Sequence, residues 1–125
     1  NYRDVHIDSA NRDLPGEIAH EIVRLGGIIG ANFVKDFVGK NGYTDFFKHI
    51  FYALEKGFED NIAFGADFFY ASPGTKSDTG TFFYDENCNA GKYQNILREL
   101  STELTEEQIN KISNLNALNF IKKIW

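Results

Sequence analysis

Ile62-Ala63-Phe64-Gly65-Ala66-Asp67-Phe68 is the stretch on which the fold turns. It is apolar without alternation, as a strand covered on both faces must be, and such strands belong to parallel sheets. It also ends in a carboxylate. Upstream, Ile28-Ile29-Gly30-Ala31-Asn32-Phe33-Val34 has the same character and reads as a second buried strand. Between the two runs lie Gly39 and the turn pair Asn41-Gly42, after which Thr44 is placed to cap a helix with a buried stripe of Phe46, Phe47, Ile50, Phe51 and Leu54. Ahead of the first run, Asp13 can cap, Pro15 suits a first turn, and Leu14, Ile18, Ile22 and Leu25 recur at helical spacing until Gly26-Gly27 stop them.

Downstream, Phe69 to Gly91 is rich in turn formers such as Pro73, Gly74, Asp78, Gly80 and Asn87. A loop of this length directly after the carboxylate reads as a lid or binding loop. Ile96, Leu97, Leu100 and Leu104 predict a short helix, and Thr105-Glu106-Glu107-Gln108 spells a capping box that starts another. Asn114 and Asn116 are expected to interrupt that helix, while Leu118, Ile121 and Trp125 keep helical spacing to the last residue and predict a packed final helix.

Helix, strand, helix, strand, long loop and helices is the alternation of an α/β fold with parallel strands. Two strands do not close a sheet. A (β/α)8 barrel of the TIM type takes about 250 residues, so residues 1–125 read as the C-terminal portion of a single barrel domain, with about two parallel strands and flanking helices. The absence of Met and the first residue, Asn1, predict a segment of a longer chain.

Of the 125 residues, 42% are hydrophobic and 25% charged, a globular composition. A net charge of −5 and a pI near 5.1 argue against nucleic acid as a partner, because phosphate binders concentrate Lys and Arg. The longest apolar stretches fall far short of the roughly 20 residues that cross a bilayer. Cys88, the single cysteine, has no internal disulfide partner and reads as a loop thiol in a reducing, cytoplasmic setting. With 12 Phe and 6 Tyr there are aromatics enough for a core and for a subunit contact such as a homodimer.

In parallel α/β folds the functional groups gather at the carboxyl ends of strands, and Asp67 stands at such an end. A carboxylate buried there without a partner would cost several kcal/mol or protonate, so a cation is expected to face it. The plainer alternative for Asp67 is a helix cap or a structural ion pair, since strand-end carboxylates are often just loop fasteners. His6-Ile7-Asp8 has the spelling of a metal pair on a strand, but its surroundings, Asp4 to Arg12, are polar and loop-like, which favours an exposed loop. Arg12 can offer a planar fork to a carboxylate or simply pair with Asp13 or Glu17. His20, beside Glu21, and His49, beside Lys48, read as surface histidines.

Arg12-Asp13-Leu14-Pro15, Gly26-Gly27-Ile28-Ile29-Gly30-Ala31-Asn32-Phe33 and Ile62 to Phe68 together, in order and spacing, resemble the renal (membrane) dipeptidase family of zinc-dependent dipeptidases. The likeness runs on to Ile112–Trp125, which is similar to the family's last helix, with Asn116 in the position of its Asn. At the other end, Asn1-Tyr2-Arg3 resembles the residues immediately after a zinc-binding histidine of the family.

The resemblance implies a binuclear zinc dipeptidase on a (β/α)8 barrel. In it Asp67 is the aspartate at the end of the eighth strand, at the metal centre and acting on the attacking water or the tetrahedral intermediate, and Arg12 binds the terminal carboxylate of a dipeptide substrate. It also implies that the main zinc ligands precede residue 1, so that the segment is inactive without the N-terminal half of the barrel. His6 and Asp8 fall after the sixth strand and do not replace those ligands. The family's Gly-x-Asp-Phe-Asp-Gly continues here as Gly65-Ala66-Asp67-Phe68-Phe69-Tyr70, which lacks the second aspartate. Two other readings compete: a different metallohydrolase barrel, such as an amidohydrolase or a phosphoesterase, and a noncatalytic binding or structural piece.

Overall fold

The computed structural model describes residues 14–39, 41–69 and 82–125. Along the chain run α1 (Gly16–Arg24), β1 (Ile29–Ala31), α2 (Lys35–Val38), α3 (Thr44–Glu55) and β2 (Ile62–Phe64). A 3-10 turn (Ala90–Lys92) then leads into α4 (Tyr93–Leu100), with α5 (Glu106–Asn110), a π-helical segment (Lys111–Leu115) and α6 (Asn116–Ile124) after it. The two strands pair in parallel, with Ile29 opposite Ile62, Gly30 opposite Ala63 and Ala31 opposite Phe64. This mixture of helices with a small parallel sheet is of the expected α/β kind. No helix among the described residues is long and apolar enough to cross a membrane.

Both strands are shorter than the apolar runs that announce them. After Ala31 the Asn32 side chain takes the Val34 N–H at 2.7 Å, and the chain then winds into α2, a short helix the sequence does not announce. After β2 the backbone leaves the sheet through Asp67, whose φ of 59° lies in the left-handed region. Phe33 and Val34 remain buried although they are no longer strand. Phe33 meets Phe46 of α3 edge-on at a ring separation of 4.8 Å, and this pair sits in a core with Ile50, Phe83, Ile96, Leu100 and Ile112.

The α3 stripe behaves as expected, with Phe46 and Ile50 fully buried and Phe47, Phe51 and Leu54 half-buried. Thr44, however, is the first residue of the helix and no side chain caps it. Asp45, in the first turn, is buried. One of its oxygens lies 2.6 Å from Lys48 Nζ and the other accepts the Asn41 N–H at 3.0 Å. Burial pushes this carboxyl up, but the Lys48 bond, the Asn41 N–H and the Lys48 charge outweigh burial and hold it below the ordinary carboxylate value. Such a group stabilises the fold at neutral pH and ceases to do so as pH falls through its folded-state value. Asp45→Asn should therefore lower the thermal midpoint at neutral pH, with the gap to wild type closing below about pH 4.

Two apolar stripes are not covered as expected. Ala19 is buried in α1, but Ile18 is 51% exposed and Leu25, just after the helix, 67%; in α6 Ile121 is 52% exposed and Trp125, just after it, 99%. Pro15 occupies the position before α1, and Asp13, the expected cap, lies outside the described residues. What α6 buries is Asn116, whose amide donates to the Glu59 and Ile62 carbonyls at 2.7 and 2.8 Å. The anticipated interruption at Asn114 and Asn116 is the π-helical segment, which widens the helix without ending it and so turns Asn116 toward β2. Lys111, in the same segment, bonds Glu59 at 2.8 Å and Asp60 at 2.9 Å. The capping box at the start of α5 is complete, with Thr105 Oγ1 accepting the Gln108 N–H and Gln108 Oε1 accepting the Thr105 N–H. Thr105→Ala should cost about 1 kcal/mol, measurable by chemical denaturation.

Candidate active site at the strand ends

Two four-residue pieces build the carboxyl end of the sheet: Gly30-Ala31-Asn32-Phe33 after β1 begins and Gly65-Ala66-Asp67-Phe68 after β2 ends. They meet diagonally, each residue of the second piece lying two positions beyond the ladder partner of the first. A Cβ added at Gly65 would fall 2.9 Å from the Gly30 Cα, and one at Gly30 would fall 3.2 Å from the Gly65 Cα, so the backbones approach as only two glycines allow. The Gly65 N–H donates to the Ala31 carbonyl at 3.0 Å. Beyond the glycines, the Asn32 amide faces the Asp67 carboxylate, with Nδ2 3.4 Å from Oδ2. Beyond those, Phe33 and Phe68 pack edge to face at 5.7 Å.

Asp67 is thus at a strand end as the sequence predicts, but its setting differs from the expectation in two ways. Its side chain is exposed, not buried, because the left-handed turn swings it out of the strand direction. Among the described residues its partner is the neutral carboxamide of Asn32, and no cation faces it. Among the described residues Asp67 forms no ion pair. Arg12, His6 and Asp8 lie outside the described residues, so the structure does not place the two halves of the expected substrate site relative to each other.

The aromatic that replaces the family's second aspartate has its own role. Phe69 packs edge-on against Phe82 at 5.2 Å and against Phe83 at 5.8 Å, and Phe68 meets Phe83 at 5.4 Å. Phe83 is buried and bridges Val34 in antiparallel fashion, while the Tyr84 hydroxyl donates to the Gly39 carbonyl at 2.8 Å. The returning leg of the long Phe69–Gly91 segment is therefore fastened over the end of β1. In the same leg, Cys88 is a free, half-buried thiol within hydrogen-bonding range of Asn89, as a loop cysteine should be.

His20 lies on the surface as expected, edge-on to Phe58 at 4.8 Å. His49 does not: it is half-buried and its Nε2 lies 2.7 Å from the Val38 carbonyl. A carbonyl only accepts, so that nitrogen carries the proton. The contact is made by the last residue of α2, a helix with no local signature in the sequence.

Residues 5–124 match the family model described as membrane dipeptidase (peptidase family M19). The chain belongs to the membrane dipeptidase family. No curated protein and no solved structure matches it. Membrane dipeptidases are generally zinc-dependent hydrolases, yet a zinc site takes three or four His, Cys, Asp or Glu donors, and among the described residues no group of three is close enough to form one. The neighbour of Asp67 that the sequence did not single out is Asn32. The signal was present in the twin spelling of Gly-Ala-Asn-Phe and Gly-Ala-Asp-Phe, which becomes informative only once the two strands are known to be neighbours.

Proposed function

We propose that the protein containing this chain hydrolyses the peptide bond of dipeptides, as a binuclear zinc enzyme on a (β/α)8 barrel of which residues 1–125 form the C-terminal part. The observation that carries this reading is the match of residues 5–124 to the membrane dipeptidase family, in a chain whose Asp67 stands at the carboxyl end of a parallel strand. Hydrolysis needs a group that takes the proton of the attacking water and gives it to the departing amine, and a free carboxylate aimed away from the fold suits that task. Asp67 has this role in the proposal, and Arg12 pairs through its fork with the substrate's terminal carboxylate.

The zinc ligands then come from elsewhere in the parent protein, and the segment alone is inactive. The uncovered stripes support this placement. Lys123 of α6 reaches Gly26 at the end of α1, so Ile18 and Leu25, in and just after one helix, and Ile121 and Trp125, in and just after the other, lie on neighbouring elements. These are faces that the rest of a barrel would cover. The test is zinc content together with dipeptide hydrolysis by the full-length protein and its Asp67→Asn variant. Zinc retained with activity lost supports the assignment; full activity in the variant, or none in the parent, overturns it.

A further inference from the structure

We propose that Asn32 is a positioning residue for Asp67, setting which face of the catalytic carboxylate is turned to the substrate; the inference rests on the catalytic reading of Asp67. A carboxamide has one acceptor oxygen and one donor NH2, and only the surroundings decide which way it points. Here the Val34 N–H, 2.7 Å from Oδ1, decides it, because a backbone N–H can only donate. This side-chain turn spans two residues, the usual reach of an Asx turn. With the oxygen fixed, Nδ2 must lie on the other side, where it meets Asp67 Oδ2 at 3.4 Å.

Asp67 is constrained from its own end as well. Its backbone is held in the left-handed turn, and its neighbours Gly65 and Phe68 are locked against Gly30 and Phe33. The carboxylate therefore has one oxygen engaged by Asn32 and, among the described residues, the other unengaged. At 3.4 Å and in an exposed position the bond contributes little to stability. Its consequence is orientational: it engages one lone pair of Oδ2 and leaves Oδ1 free to face the substrate. Small errors in aim at a reacting group lower turnover far more than they lower stability.

Asn32→Asp separates this role from a structural one, because a carboxylate oxygen can still accept the Val34 N–H while the donor to Asp67 is replaced by a repelling charge. Asn32→Ser is the uncharged companion, with a hydroxyl able to serve the turn but too short to reach Asp67. In the full-length protein both variants should keep their zinc content and thermal midpoint, and lose about 10- to 100-fold in kcat with little change in KM. Adding either substitution to Asp67→Asn should cost nothing further, since a residue acting through Asp67 has nothing left to position. Unchanged kcat in both single variants, or a full extra loss on top of Asp67→Asn, would overturn the role of Asn32 while leaving Asp67 in place. Full activity in Asp67→Asn itself would overturn both readings together.

Discussion

Asp67→Asn in the full-length protein is expected to lose about 10²- to 10⁴-fold in kcat, the usual range for removing a positioned acid-base group, while zinc content and KM stay close to wild type. The substitution is isosteric, so it leaves the contact surface of the turn unchanged. It also suits the backbone: at φ of 59° most side chains are strained, whereas Asn is among the few that tolerate the left-handed region. The Asn32 amide can still be satisfied, because the new carboxamide can present its oxygen. What changes is the one property the chemistry uses, since an amide cannot accept a proton from water. Asp67→Ala is the poorer experiment. It would impose roughly 1–2 kcal/mol of left-handed strain on a residue without local hydrogen bonding, so a loss of activity could report misfolding of the strand end. A rise in KM at constant kcat in Asp67→Asn would move Asp67 from proton transfer to substrate binding.

The parallel pairing of two apolar runs, the buried stripe of α3, the capping box of α5 and the strand-end position of Asp67 are all legible in the sequence because each is written in local pattern. Period, cap chemistry and burial of a run depend on residues a few positions apart. Three features are not legible for the same reason in reverse. Asn116 reads locally as a helix breaker, yet it satisfies two backbone carbonyls that lie more than fifty residues earlier, and nothing near it in sequence says that those carbonyls need a donor. α2 is too short to show a period, and it follows the side-chain turn in which Asn32 takes the Val34 N–H. The stripes of α1 and α6 are apolar faces, as their spacing indicates, but an apolar face says only that something covers it. Among the described residues that cover is partial, with Ile18 51% and Ile121 52% exposed.

Gly65→Ala offers the second large effect, and it tests whether the site depends on the close approach of the two strands. The new methyl would sit 2.9 Å from the Gly30 Cα and 3.3 Å from the Gly30 carbonyl carbon, both backbone atoms that no rotamer change can move aside. Overpacking against backbone costs about 1–3 kcal/mol, so the thermal midpoint of the full-length protein should fall by several degrees. Gly57→Ala is the control: nothing lies within 4 Å of its added methyl, and its φ of 82° brings strain without a clash. Both glycine variants should lose stability, but only Gly65→Ala should lose activity beyond what stability explains. Forcing the glycines apart separates Asn32 from Asp67, whose contact at 3.4 Å has no slack to give. Measured below the midpoint of both variants, a kcat deficit confined to Gly65→Ala would tie turnover to the spacing of the strand ends. Equal kcat in the two would show that Asp67 works without its neighbour's help, and would place the value of the paired glycines in the packing of the sheet.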